Sequence, residues 1–122
     1  MLSSLDLAVV NLFLITARRE IDKNNAYFVY YRNVKSANKV VNARQALLDI
    51  GIIKISEIWN YIKELQPSDC FRISRDRDFS RDFNAEIYEF KKIINRKNVY
   101  IKLTINDKGL LCISFHIDNG GN

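Results

Sequence analysis

Residues 99–116, VYIKLTINDKGLLCISFH, constrain the fold more than any other part of the chain. They alternate apolar and polar side chains on both sides of Asp107-Lys108-Gly109, the pattern of two strands joined by a tight turn. A three-residue loop with Gly109 left-handed in a bulge sets Asn106 against Leu110, Thr104 against Cys112, Lys102 against Ser114 and Tyr100 against His116. Val99, Ile101, Leu103 and Ile105 then share the opposite face with Leu111, Ile113 and Phe115. A one-residue slip sets Ile101 against Ser114 and Val99 against His116. Mixed faces are penalised, so the apolar pattern selects the register.

The preceding connection fits a two-residue turn at Asn95-Arg96. It pairs Ile101 with Phe90 and Leu103 with Tyr88 on the apolar face. On the polar face it pairs Tyr100 with Lys91 and Lys102 with Glu89. One surface therefore displays Glu89, Lys91, Tyr100, Lys102, Ser114 and His116. Arg72, on a short strand over residues 70–73, is a candidate neighbour.

Upstream the period is helical. Residues 4–22 form a helix with Leu5, Val9, Leu12 and Phe13 on one stripe, widened by Leu7, Val10 and Leu14, which predicts a well-covered element. Residues 26–31, AYFVYY, have strand propensity. Ser36 is placed to cap a helix running to Ile50, with Val40, Val41, Arg44, Leu47 and Leu48 on one face and Gly51 as its stop. Ser56 is placed to cap a third helix carrying Ile58, Trp59, Ile62 and Leu65, closed by Pro67. Residues 74–84, SRDRDFSRDFN, read as a loop, followed by strands over 86–94, 99–105 and 110–117. Helices first and strands afterwards mean an α+β fold: about three helices packed on one face of an antiparallel β-sheet, with a C-terminal three-stranded meander.

A length of 122 residues fits a single domain over 1–122, ending in a flexible tail at 118–122. Cys70 and Cys112 are too few for a disulfide framework and read as free thiols in a reducing, cytoplasmic compartment. One histidine and two separated cysteines supply no metal site, and no cofactor is implied. The apolar run near the N-terminus has Asp6 where a signal peptide carries positive charge, and it falls short of the roughly 20 residues a bilayer span needs. No membrane partner is expected. A net charge of +5 suits a polyanion such as RNA or DNA, or an acidic protein.

The polar sheet face holds the parts for metal-free RNA cleavage. The 2′-hydroxyl must lose a proton as it attacks the phosphate, the 5′-oxygen must gain one as it leaves, and the phosphorane between them needs cations. His116 can exchange a proton near neutrality. Glu89 is a candidate second acid–base group. Lys91, Lys102 and Arg72 can neutralise the phosphate, Arg75 and Arg77 in the loop can contact RNA, and Tyr100 can stack on a base or donate to a phosphate oxygen. Each has a plainer counterpart. Lys–Glu cross-strand pairs are common on exposed sheet faces, an end-of-strand histidine is often only a surface residue, and an Arg/Asp loop is often self-paired. A non-catalytic nucleic-acid-binding or regulatory module would use the same basic face, and a protein-docking sheet is a third reading.

Three segments resemble the MqsR-like mRNA interferase toxins of bacterial toxin–antitoxin pairs. VYIKLTI with LCISFH resembles the family's paired C-terminal strands. Asp69-Cys70-Phe71-Arg72 resembles its short strand after the third helix. Residues 46–52 with residues 26–29 before them resemble the "FYFV…aLldLGI" run of longer members. The likeness covers residues 26–117, with residues 1–25 as an added N-terminal helix. It implies a RelE-type fold, endonucleolytic cleavage of mRNA, and catalytic positions at Arg72, Tyr100 and His116. Arg72 and His116 stand where short members commonly have Lys, and Ile87 falls near a family polar position. The resemblance also implies neutralisation by a cognate antitoxin, with operator DNA bound only through that partner and any zinc belonging to it. A sheet edge at residues 70–73 or 26–31 is the expected antitoxin contact.

Overall fold

The computed structural model describes residues 2–74 and 86–120. Ser3 opens helix α1 (Ser4–Asp22) with a reciprocal cap. Its hydroxyl accepts from the Asp6 N–H and the Asp6 carboxylate accepts from the Ser3 N–H, both at 3.1 Å. The buried stripe of α1 is Val10, Phe13, Leu14 and Ala17, at helical spacing. Phe13 stacks on Tyr88 of the sheet, ring centroids 3.9 Å apart. The wide coverage expected of this helix does not occur: Leu5 and Leu12 are 75% and 65% exposed. The helix presses one stripe onto the core and leaves its other apolar stripe outward.

Strand β1 (Ala26–Phe28) is shorter than the predicted 26–31. The predicted helix from Ser36 to Ile50 is the largest correction. Its first part is a separate antiparallel hairpin of β2 (Asn33–Ser36) and β3 (Lys39–Asn42), turned through Ala37 and Asn38 at φ 50° and 65°. Helix α2 (Ala43–Ile50) begins only after Asn42, whose side chain accepts from the Gln45 N–H at 2.7 Å. Its buried face is Ala43, Ala46, Leu47 and Ile50, while Leu48 is exposed and Val40 and Val41 belong to the hairpin. Ser36 caps nothing; its buried hydroxyl accepts from the Ile117 N–H at 3.1 Å. Gly51 ends α2 as predicted, left-handed at φ 95°, with the Ile52 N–H bonded to the Leu47 carbonyl.

Ser56 likewise lies within a 3-10 turn (Ile55–Glu57) instead of capping α3 (Ile58–Lys63). Ile58, Ile62 and Leu65 are buried, and Trp59 packs half-buried against them. Arg18 of α1 donates to the carbonyls of Lys63 and Leu65, at 3.1 and 2.7 Å, satisfying the end of α3. Among the described residues no helix is long and apolar enough to cross a membrane.

A 3-10 turn (Pro67–Asp69) leads into β4 (Cys70–Ser74), then β5 (Ile87–Ile94), β6 (Lys97–Asn106) and β7 (Gly109–Ile117). The predicted loop beyond Ser74 lies outside the described residues, and Ser74 itself ends β4. The sheet order is β1-β7-β6-β5-β4. The neighbours β4 to β7 pair antiparallel, but β1 runs parallel to β7, so the sheet is mixed and not antiparallel throughout. The parallel pairing begins at a close approach of the two chains. The Leu110 N–H donates to the Asn25 carbonyl at 3.0 Å, beside Gly109 at φ 125°, where a β-carbon would lie 2.4 Å from that oxygen. The fold is α+β, with all three α-helices contributing to one core against the sheet.

The turn at Asn95 and Arg96 has both residues left-handed, and β5 and β6 pair as predicted: Phe90 with Ile101, Tyr88 with Leu103, Lys91 with Tyr100, Glu89 with Lys102. The β6–β7 register is right at one end and wrong at the other. Tyr100 opposes His116 and Lys102 opposes Ser114, but Leu103 opposes Cys112, Thr104 opposes Leu111, Ile105 opposes Leu110 and Asn106 opposes Gly109. The loop is two residues, Asp107 and Lys108, and the bulge residue is Ile113, between Cys112 and Ser114. Leu110 and Cys112 accordingly join the core, and Leu111, expected there, does not.

Candidate active site

The site lies on the sheet face away from the helices. Tyr100 of β6 and His116 of β7 are direct cross-strand partners, ring centroids 5.1 Å apart and tilted by 35°. Lys102 and Ser114 form the next pair on the same face, with Glu89 of β5 opposite Lys102 and Arg72 of β4 opposite Glu89. Lys91 lies opposite Tyr100, its ammonium 3.4 Å from the Asp118 carboxylate. Alternation thus brings Arg72, Glu89, Lys91, Tyr100, Lys102 and His116 onto one surface. Arg75 and Arg77 lie outside the described residues.

Glu89 accepts the most hydrogen bonds of these side chains, and its geometry changes its expected role. The residue is 2% exposed, and its carboxylate receives four hydrogen bonds. Arg72 binds it bidentately through Nε at 2.6 Å and Nη2 at 2.7 Å, Ser74 Oγ donates at 2.9 Å, and the Tyr100 hydroxyl donates to Oε1. Burial alone would raise the carboxyl pKa. The bonds from Arg72, Tyr100 and Ser74 outweigh it and hold Glu89 below the usual carboxylate range. A carboxylate with all four acceptor positions filled orients its donors; it is not poised to transfer a proton. The Tyr100 hydroxyl is held protonated by burial and by Glu89. Arg72, whose side chain is 60% exposed, keeps part of its guanidinium for an anion in the cleft it lines.

His116 is 6% exposed. Its Nδ1 lies 2.8 Å from the Ile117 carbonyl oxygen, which can only accept, so the neutral ring carries its proton on Nδ1 and leaves Nε2 as the basic nitrogen. Burial lowers the His116 pKa, and the nearby Arg32 charge adds to that, against the Ile117 hydrogen bond and Asp118, which raise it. The arrangement favours a neutral imidazole with Nε2 as its basic nitrogen.

The sequence reading missed the opposite wall. The β2–β3 hairpin abuts β7: the Ala37 N–H donates to the Ile117 carbonyl, and Asn119 ties the hairpin through bonds of 2.8 Å from the Asn38 N–H and 2.9 Å to the Lys35 carbonyl. Asp118 and Asn119, expected to open a flexible tail, are thereby anchored; the Asp118 N–H also donates to the Asn98 carbonyl. A cleft of about 380 Å³ results, lined by Arg32, Asn33, Val34 and Lys35 on one side and Arg72, Tyr100 and His116 on the other, with Asp118 and Asn119 at its end. Arg32 reaches across to donate from Nη2 to Ser114 Oγ at 2.8 Å. Arg32, Lys35 and Arg72 face one carboxylate, Asp118, in this lining, so it favours an anion. The only available signal for Arg32 was its place directly after the aromatic run, which does not distinguish it from any other basic residue.

Cys70 and Cys112 are free and buried, and burial pushes both thiols up, which leaves them poor nucleophiles. No family model matches the chain, and no curated protein matches it either.

Proposed function

We propose that the chain is a metal-independent endoribonuclease, the toxin of a toxin–antitoxin pair, with a RelE-type fold of the MqsR-like kind. The observation that carries this reading is the Tyr100–His116 pair on the floor of a cationic cleft, with His116 Nδ1 committed to a carbonyl and Nε2 left as base. In the proposed reaction Nε2 takes the proton of the RNA 2′-hydroxyl. The 2′-oxygen attacks the adjacent phosphorus, the P–O5′ bond breaks, the 5′-oxygen takes a proton from water in the cleft, and the hydroxide so formed takes the proton back from His116 Nε2. The products are a 2′,3′-cyclic phosphate and a 5′-hydroxyl. Arg72 and Arg32 balance the charge that builds on the phosphorane, and Glu89 acts as a positioning residue that aims Arg72 and Tyr100. The substrate is mRNA in the cytoplasm. The partner is a cognate antitoxin, through which alone operator DNA is reached; β1 and β4, the sheet edges among the described residues, are the strands offered for pairing with it.

The purified chain is expected to cleave single-stranded RNA in the presence of EDTA and to leave cyclic phosphate ends, and His116→Ala is expected to abolish this. Expression in a bacterial host should slow growth, with relief by His116→Ala or Tyr100→Ala. Soluble wild-type protein that is harmless and leaves RNA intact sinks the proposal. The saturation of Glu89 favours a second reading, a non-catalytic nucleic-acid-binding module, because the expected second proton-transfer group is already committed. Retained RNA binding at 0.3 M salt without cleavage would decide for it.

A further inference from the structure

The β4–β5 ladder shifts between Cys70, which opposes Phe90, and Arg72, which opposes Glu89, so Phe71 has no cross-strand partner. Strict alternation from the core residue Cys70 would send Phe71 outward and Arg72 back into the core. The bulge instead gives both Phe71 and Arg72 to the cleft face. Phe71 is 37% exposed and outside the core; Lys91 Nζ and Arg72 Cζ lie over its ring, 4.7 and 5.5 Å from the centroid, and the Tyr100 ring centroid is 6.1 Å away. Both cations are held in place by carboxylates, Arg72 by Glu89 and Lys91 by Asp118.

We propose that Phe71 is a nucleobase-stacking platform that seats one unpaired base of a single-stranded RNA beside the Tyr100–His116 pair, with the flanking phosphates on Arg72 and Lys91. This rests on the reading of the face as an RNA site and adds to it the residue that selects unpaired RNA. A part-exposed aromatic ring with two positioned cations over it matches a nucleotide, which offers a π-face to the exposed part of the ring and an anion to the cations a few ångströms away. A base inside a duplex is already stacked on both sides and cannot reach the ring, so duplex RNA is excluded.

The test uses the full chain and a short single-stranded RNA with 2′-O-methyl sugars, which binds without being cleaved, followed by fluorescence anisotropy. An abasic site is moved along the oligonucleotide. At one position it should weaken binding to the wild type about ten- to a hundredfold, the scale of one base–aromatic stack. Phe71→Ala should weaken the intact oligonucleotide by the same factor and no longer respond to that abasic site. Phe71→Trp should restore binding with its emission quenched, and Phe71→Leu, melting as wild type, should behave like Phe71→Ala. Wild-type affinity in Phe71→Ala, or an undiminished abasic response in it, overturns the platform while leaving the RNA site intact. Failure of the wild type to bind any RNA overturns the RNA site and the platform together.

Discussion

Glu89→Gln is the most informative single change. The amide keeps the volume and leaves no cavity, but it presents an NH2 group where one carboxylate oxygen accepted two bonds. The hydroxyls of Ser74 and Tyr100 can rotate to accept from it. The Arg72 guanidinium cannot, because it only donates. The variant therefore loses at least one of the two bonds from Arg72, together with the ion pair. A bond to a charged group contributes about 1.5–3 kcal/mol. Arg72 is more than half exposed and regains water, which trims the loss to about 1–2 kcal/mol. For a chain of this length that is a fall in Tm of about 4–8 °C at pH 7.

The pH dependence separates this cause from a packing defect. The Glu89 pKa is lowered in the folded state, so the unfolded chain binds the proton first as pH falls. Its contribution is complete above the ordinary carboxylate pKa, about 4.3, and is lost as pH drops through the folded value below that. Urea unfolding of wild type and Glu89→Gln from pH 7 down to pH 3 should therefore show two stability curves converging on the acid side. A gap that stays constant with pH, or no gap at pH 7, refutes the argument that these four bonds hold the charged form.

His116 gives a second pH signature. Its folded pKa is lowered, so stability is present above its ordinary value of about 6.5 and declines as pH falls below it, a decline that should disappear from urea unfolding of His116→Ala, and the acid limb of any wild-type cleavage profile should lie below 6.5. Gly109→Ala, with its β-carbon forced to within 2.4 Å of the Asn25 carbonyl at a left-handed φ, should cost more than about 2 kcal/mol by thermal melting and weaken amide protection in β1. Asn42→Ala should cost about 1 kcal/mol if Asn42 caps α2; an unchanged melting temperature would place the helix start elsewhere. Deleting Ile113 makes β7 a regular strand that still sends Leu110 and Cys112 to one face and Ser114 and His116 to the other, so the variant should keep a cooperative unfolding transition by circular dichroism at a melting temperature lowered by the lost buried side chain; no transition at all contradicts the bulge.

The C-terminal strands were legible because alternation over eight or more residues fixes which face each side chain takes, and that was enough to assemble the polar surface. The hairpin at β2–β3 was not legible. Its turn is Ala37-Asn38, without the glycine that marks most left-handed turns, and Val40, Val41, Ala43 and Leu47 continue at a spacing a helix also satisfies. The Asn95-Arg96 turn lacks glycine as well, but it lies between long alternating strands that leave only one register. Arg32 and Lys35 went unseen for the same reason: their place in the site depends on the misread hairpin. The role of Glu89 was misread differently, since composition reveals a carboxylate near cations but not that its four acceptor positions are filled.

The bulge at Ile113 explains how one strand can serve two faces. Leu110, Cys112, Ser114 and His116 fall at even spacing, so a regular strand would send all four to the same side. Near the loop, Leu110 and Cys112 must enter the core, where Leu110 is fully buried beside the parallel pairing with β1. At the far end, Ser114 and His116 must leave the core face, the one to meet Arg32 and the other to meet Tyr100. Both requirements hold only if one residue between Cys112 and Ser114 is taken out of the count, and Ile113 is that residue. The bulge beside Phe71 does the same on β4, keeping Cys70 in the core and Arg72 on Glu89. The cleft face therefore depends on two interruptions of the alternation that first made it visible.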